Sequence, residues 1–285
     1  MKQSKKSAFS LLELSIIILI IGVIVTGVMQ GQHILSESRL KTARSLTNSS
    51  IVASIPSLAL WVESTLEDSF TSGEGGDGED GDALTQWLDI NPQSLSKYTL
   101  TGTGTYREDV INGLPAVELN GSSDFFGTSG FPQVVDEVTI FAVVKLTGLS
   151  SGQYTLLSKG NHPAQNMHLW VEGSVFRTCP NSACYSSSSG VQNNKVHLIS
   201  FRAAYDGSTD GVEFYLDSYS PTGTHTLSAV SSNAADLRIG TSSIGAGFFP
   251  GEVGEVIIFN EKLSSRDHKS VTKYLKNKWN LNISN

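Results

Sequence analysis

The sequence has little cysteine, little charge and no basic excess. Only Cys179 and Cys184 are present among its 285 residues, and no histidine stands beside them at ligand spacing, so a structural zinc site is a poor reading. Charged residues make up 16%, with 20 Lys and Arg against 27 Asp and Glu for a net charge of -7. That balance argues against a nucleic-acid partner held through phosphate contacts. No G-x-S-x-G, P-loop or H-E-x-x-H segment occurs, which leaves no recognised nucleophile elbow, phosphate cradle or metalloprotease helix. No helical period is sustained between Pro56 and Leu263, so a helical bundle is excluded for the body of the chain.

What is present first is the stretch KKSAFSLLELSIIILIIGVIVTGVMQ at residues 5 to 30. It carries no charge from Leu14 to Met29, and a helix from Phe9 to Met29 would rise ~32 Å, about the thickness of a bilayer's hydrocarbon core. Lys2, Lys5 and Lys6 precede it, which places the N-terminus in the cytoplasm and exports the rest. An ordinary secretory signal fits less well, because VTGVMQGQ offers no small-residue cleavage site. Glu13 is the anomaly, since a carboxylate in a spanning helix costs roughly 2.5 kcal/mol or more at the centre and calls for a partner. Cutting between Ala8 and Phe9 would free an α-amino group able to pair with Glu13 of a neighbouring helix.

These residues resemble the N-terminal processing segment of type IV pilins and type II secretion pseudopilins. The resemblance implies cleavage at Ala8/Phe9 by a prepilin peptidase, methylation of the new Phe9 terminus, and Glu13 as the residue that sets assembly. Ala8 stands where the family usually has glycine, and Gln30 where many members have proline. Residues 1–8 are then a leader, and 9–55 a pilin-type helix with 9–29 as transmembrane segment or filament core. The expected setting is a bacterial inner membrane, single pass, followed by a periplasmic or cell-surface filament. Its partners would be like or unlike pilin-type subunits. Apolar residues Ile34, Leu35, Leu40, Ala43, Leu46 and Ile51 continue the helix to about Asn48, and Pro56 breaks it.

From Leu58 onward the texture is short runs rich in Val, Ile, Thr, Tyr and Phe between Gly, Ser, Asn and Asp clusters. Strands are expected near 58–62, 97–101, 115–120, 137–146, 154–158, 167–172, 174–178, 195–203, 211–217, 235–240 and 252–260. The segment LSSRDHKSVTKYLKNKWNL then reads as a closing helix, with Ser264 and Asp267 as a capping box and Val271, Tyr274, Leu275 and Trp279 on one face. The fold class expected is therefore α+β: a long N-terminal hydrophobic helix, an antiparallel β-sandwich over 56–285 and a short C-terminal helix. Trp61, Trp87 and Trp279 read as core.

The body, through LALWVEST, DGEDGDALTQWLDIN, INGLPAVELNGSSDFF, VTIFAVVKL and GEVGEVIIFNEKL, resembles the laminin-G or concanavalin-A-like jelly rolls. That resemblance implies two packed antiparallel sheets with glycan or protein binding on the concave face or loop rim. Laminarinase-type jelly rolls carry alternating carboxylates on one strand, an E-x-D-x-E run that this chain lacks. Glu252 and Glu255 in GEVGEV are three apart and are expected on opposite strand faces. The chain is accordingly expected not to be an enzyme.

Candidate binding residues are few. EGGDGEDGD at 74–82 offers Asp77, Glu79, Asp80 and Asp82 to Ca²⁺, although the spacing is not that of an EF-hand and a solvated loop is the plainer reading. His162 and His168 in KGNHPAQNMHLW lack a third metal ligand, and His197 reads as a strand residue. Trp170 with Tyr185 is the candidate sugar-stacking pair at a loop rim. Cys179 and Cys184 are expected to form a local disulfide in an oxidising compartment. The expected function is a pilin-like filament subunit displaying a lectin-like domain for adhesion to glycans or surface proteins. A secretion pseudopilin and a membrane-tethered, non-polymerising binding protein are the alternatives.

Overall fold

A computed structural model describes residues 11–71, 79–132, 136–150, 152–161, 164–179, 184–205, 211–226 and 234–285. Helix α1 (Leu11–Asn48) leads through a 3-10 turn into β1 (Leu58–Glu63). There follow β2 (Ala83–Leu88), β3 (Thr99–Ile111), β4 (Leu114–Asn120), β5 (Phe125–Thr128), β6 (Glu137–Leu146), β7 (Gln153–Asn161) and β8 (Ala164–Glu172). The second half of the body adds β9 (Val175–Thr178), β10 (Tyr185–Gly190), β11 (Val196–Ala204), β12 (Val212–Leu216), β13 (Gly223–His225), β14 (Leu237–Ile239) and β15 (Pro250–Phe259). Helix α2 (Ser265–Lys278) ends the fold.

Local chemistry explains the connections. Asn112 and Gly113 stand at φ 52° and 84° between Ile111 and Leu114, which face each other across the hairpin. Two successive positive φ values make the turn whose twist matches paired strands, and Asn-Gly adopts them readily. The strands pair antiparallel in the order β10-β9-β8-β7-β14-β5-β3-β4-β15-β6-β11-β12-β13, with β1 on β15 and β2 on β3. The path curls until its two ends meet: the Ser188 amide donates to the Thr222 carbonyl at 2.7 Å, and His225 Nε2 lies 3.1 Å from the Ser186 carbonyl oxygen. Contact between the end strands shields edges that would otherwise pair with other chains.

Strand alternation divides the interior in two. Along β6, Val138, Ile140, Ala142, Val144 and Leu146 enter the core between the sheets, whereas Phe141 and Val143 face the helices. A strand covered on both faces keeps no polar side, which explains the run VTIFAVV. Against its helix-facing side lie Val271, Leu275 and Trp279 of α2, all fully buried. Ser264 caps α2, its hydroxyl accepting from the Asp267 amide at 3.1 Å. The last turns of α1 dock beside α2 through buried Ala43 and Thr47, and Arg44 Nε donates to the Thr65 carbonyl at 2.7 Å.

At the centre of this helix-covered layer sits a closed polar network. Lys278 Nζ lies 2.7 Å from Glu63 Oε2 and 3.0 Å from Glu255 Oε2, with all three side chains fully buried. Glu255 also accepts from Trp61 Nε1 and Trp279 Nε1, each at 2.7 Å, and from the Tyr274 hydroxyl at 2.8 Å. Glu63 accepts from the amides of Thr65 and Leu66 and from the hydroxyls of Thr65 and Ser69. Burial pushes the Glu63 carboxyl up, but the Lys278 charge and the Lys278 and Thr65 hydrogen bonds outweigh it and hold the group below 4.5.

Two expectations are corrected. The chain is mostly β, a β-sandwich, and the α+β class built on a hydrophobic N-terminal helix does not hold: α1 is apolar in its first half only, and its other half is a polar stem packed on the sandwich. Among the described residues no helix is long and apolar enough to cross a membrane. The single-pass inner-membrane placement and the pilin-type anchor are therefore withdrawn. Ala8 and Phe9, the expected processing site, lie outside the described residues, and Glu13 is exposed on α1.

Replacing Lys278 by Met leaves two buried carboxylates without their cation, and denaturant unfolding should show a loss of about 3–5 kcal/mol. Because Glu63 titrates lower folded than unfolded, its contribution is in place above about pH 4.5 and is lost as pH falls through the lowered native value. Unfolding midpoints measured from pH 7 to pH 3 should fall on that acid side.

Candidate functional site

The face of β3, β5 and β14 turned away from the helices carries a groove. Along β5, Phe126 enters the core while Phe125 and Gly127 face out. Register places Thr101 of β3 and Arg238 of β14 on either side of Gly127. The result is a groove of about 490 Å³ whose walls include Thr99, Thr101, Phe125, Thr128, Asp236 and Arg238. The guanidinium carbon of Arg238 lies 5.2 Å from the Phe125 ring centroid, a cation–π distance. Glycine at 127 makes this possible, since a Cβ there would fall 3.3 Å from Arg238 Cγ and 3.2 Å from the Leu237 carbonyl oxygen. A half-buried ring, threonine hydroxyls, one carboxylate and one guanidinium can stack an apolar ligand face and bond its polar edge.

Two other clefts, of about 360 and 420 Å³, flank Asn112 near the C-terminal end of α2. Neither is lined by an aromatic ring. In the second, Lys145 is paired with Glu252 at 3.4 Å and Lys195 with Asp217 at 3.7 Å. The groove beside Phe125 combines a stacking surface with an arginine that has no ion-pair partner among the described residues.

The residues singled out from sequence are placed differently. Trp170 is buried, with its ring centroid 4.6 Å from that of His168. It opposes Arg177 across β8 and β9, whereas Tyr185 opposes Thr178, which in turn opposes Leu169 of the inter-sheet core. Alternation therefore sends Trp170 and Tyr185 to opposite faces, and they cannot share a rim. Tyr185 packs instead against His225 at the seam, with centroids 4.9 Å apart. Asp77 and His162 lie outside the described residues. Asp80 accepts from the Glu108 amide at 3.0 Å and pairs with Arg107 at 3.5 Å, and Asp82 accepts from the Glu79 amide at 2.8 Å. No group of three acidic, histidine or cysteine side chains among the described residues could hold a metal ion.

Glu252 and Glu255 need a correction of their own. The register of β15 shifts between Val253 and Glu255, so the extra residue Gly254 turns Glu255 to the side of Glu252, not to the opposite one. Val253 and Val256 enter the inter-sheet core, while Glu255 meets α2 and Glu252 meets Lys145. Gly254 is required there because a Cβ would fall 2.6 Å from the Trp279 ring. Sharing a face does not make these carboxylates a catalytic pair, since Glu255 is enclosed and saturated by its donors. His197 is structural: Nδ1 lies 2.7 Å from Asp217 and Nε2 accepts from the Gln192 amide. Cys179 and Cys184 form a disulfide joining the end of β9 to the start of β10.

No family model matches the chain, and no curated protein does. Solved structures are similar to it at low identity. The sialidase of Trypanosoma rangeli in complex with sialic acid is 16% identical with a TM-score of 0.53, over 85% of this chain and 38% of that one. Domain 4 of AbnA, an extracellular arabinanase from Geobacillus stearothermophilus, in complex with arabinotriose, is 14% identical with a TM-score of 0.50, over 76% of this chain and 97% of that one. The receptor binding domain of a botulinum neurotoxin mosaic, serotype C/D, is 14% identical with a TM-score of 0.52, over 79% and 51%. The chain thus spans about two-fifths of the sialidase and half of the toxin domain. These likenesses are of fold alone, and the fold they share is that of β domains and not of a pilin, which overturns the pilin and pseudopilin resemblance.

The disulfide closes a short loop where the sheet's end strands meet. Cys184→Ser should lower unfolding stability by about 2 kcal/mol, read by denaturant titration under oxidising conditions.

Proposed function

We propose that this chain is a lectin-like, non-catalytic carbohydrate-binding domain that takes a short saccharide in the groove beside Phe125. The observation that carries the reading is the Phe125 ring, held half-buried at a groove wall with Arg238 against it and threonine hydroxyls around it. A sugar ring offers one face of C–H groups and an equatorial belt of hydroxyls, and the groove offers an aromatic surface and a polar border to match. Domain 4 of the arabinanase, similar in fold across nearly its whole length, holds arabinotriose in its solved structure. Binding a short oligosaccharide is therefore within the compass of this architecture.

A non-catalytic role is supported by the carboxylates. Most glycoside hydrolases use two of them flanking one bond, about 5 to 10 Å apart. Asp236 is the one acidic side chain lining the groove, while Glu252 and Glu255 lie on the helix-covered layer. Recognition without turnover would serve attachment to a glycan-bearing surface.

The full chain applied to an array of neutral and acidic plant, bacterial and animal glycans should retain at least one class. Phe125→Ala should weaken that binding at least about tenfold, ~1.4 kcal/mol, with an unchanged circular dichroism spectrum. EDTA should leave it unaltered, because Asp80 and Asp82 are already engaged by protein donors. Retention of no glycan, or equal retention by the Phe125→Ala chain, would overturn the reading.

A further inference from the structure

Arg238 differs from the other arginines on the strands. Arg107, Arg177 and Arg202 each lie within 3.1 to 3.5 Å of an Asp or Glu oxygen. Arg238 has no such partner among the described residues, and its side chain's hydrogen bond among them is a long one, Nη1 to the Ser242 carbonyl at 3.4 Å. The guanidinium is nevertheless held in place, by the Phe125 ring on one side and by the strand register on the other. A fixed, unneutralised fork of N–H donors in a chain of net charge -7 is a receptor for a carboxylate, which it can bind through two parallel hydrogen bonds.

Asp236 limits what that carboxylate can belong to. It stands two residues before Arg238 and lines the same groove, and residues i and i+2 of an extended chain share a face ~7 Å apart. Anionic at that point, the wall repels a second ligand charge but accepts hydrogen bonds from hydroxyls. Thr101, on the far side of Gly127 from Arg238, adds a hydroxyl to the opposite wall. The groove therefore offers a cation at one end and an acceptor for neutral hydroxyls at the other.

We infer that the groove selects saccharides bearing a single carboxylate per binding unit, with the carboxylate on Arg238 and ring hydroxyls on Asp236 and Thr101. This deepens the carbohydrate-binding reading and rests on it. Densely sulfated polymers are disfavoured by Asp236, and neutral sugars forgo the Arg238 contact.

The test uses the full chain with three probes: an oligosaccharide ending in one glucuronate, the same oligosaccharide with that carboxyl reduced to the alcohol, and heparin. The glucuronate form should bind at least tenfold tighter than its reduced counterpart and should weaken as salt is raised. Arg238→Gln should erase that difference. Asp236→Asn should raise heparin binding. Equal binding of acidic and reduced sugars by the native chain, or a preference that survives Arg238→Gln, overturns the selectivity while the carbohydrate-binding reading stands. Binding of neither sugar, with no effect of Phe125→Ala on any glycan, overturns both.

Discussion

One buried ammonium group sets the arrangement of the helix-covered layer. Lys278 lies between Glu63 at the end of β1 and Glu255 in β15, and the indoles of Trp61 and Trp279 and the hydroxyl of Tyr274 complete the shell around Glu255. Taking these charges out of water costs several kcal/mol each, and only close, fully bonded geometry offsets it. A helix α2 displaced by one turn would leave two carboxylates in an apolar layer without a cation. The network therefore fixes where α2 sits more than it adds raw stability, and α1 follows, since Thr47 of α1 lies 3.3 Å from the Tyr274 hydroxyl.

The same constraint shapes β15. Glu255 can meet α2 only because the strand carries an extra residue at Gly254, and that residue must be glycine because the Trp279 ring lies where its Cβ would be. A bulge, a glycine, a tryptophan and a lysine are thus one device. Its effect is to commit this face of the sandwich to packing. The opposite sheet is left open, where β3, β5 and β14 are short or glycine-interrupted and expose a ring and a guanidinium.

That division also accounts for several buried or turn-bracing polar groups. His268, stacked on Phe141 and Tyr215, is pushed down to about 3 by burial and by Arg202 and stays neutral as part of the α2 contact. Asp80 and Asp82 brace a turn against β3, and His197 braces the entry to β11. The carboxylate of Glu13 suggested a membrane partner only on the premise of a spanning helix, and α1 as described supplies no such span.

The body of the sandwich was legible because alternation and turn chemistry are local. The capped α2 follows from residue type at fixed spacing, and strands at 58–63, 137–146 and 250–259 stand where runs of apolar and β-branched residues place them. The short strands β2, β5, β10 and β13 were not legible, because three to six residues carry too little period to stand out. Nor was the site: adjacent Phe125 and Phe126 must face opposite sides of a strand, but which faces out is set by register with β3 and β14, more than twenty and more than one hundred residues away. What the sequence determined alone was a β-rich chain with a closing helix. What only the tertiary structure decided was that a bulge turns Glu255 beside Glu252, that Trp170 and Tyr185 part, and that Arg238 meets Phe125, since each depends on long-range strand pairing that no local spacing encodes.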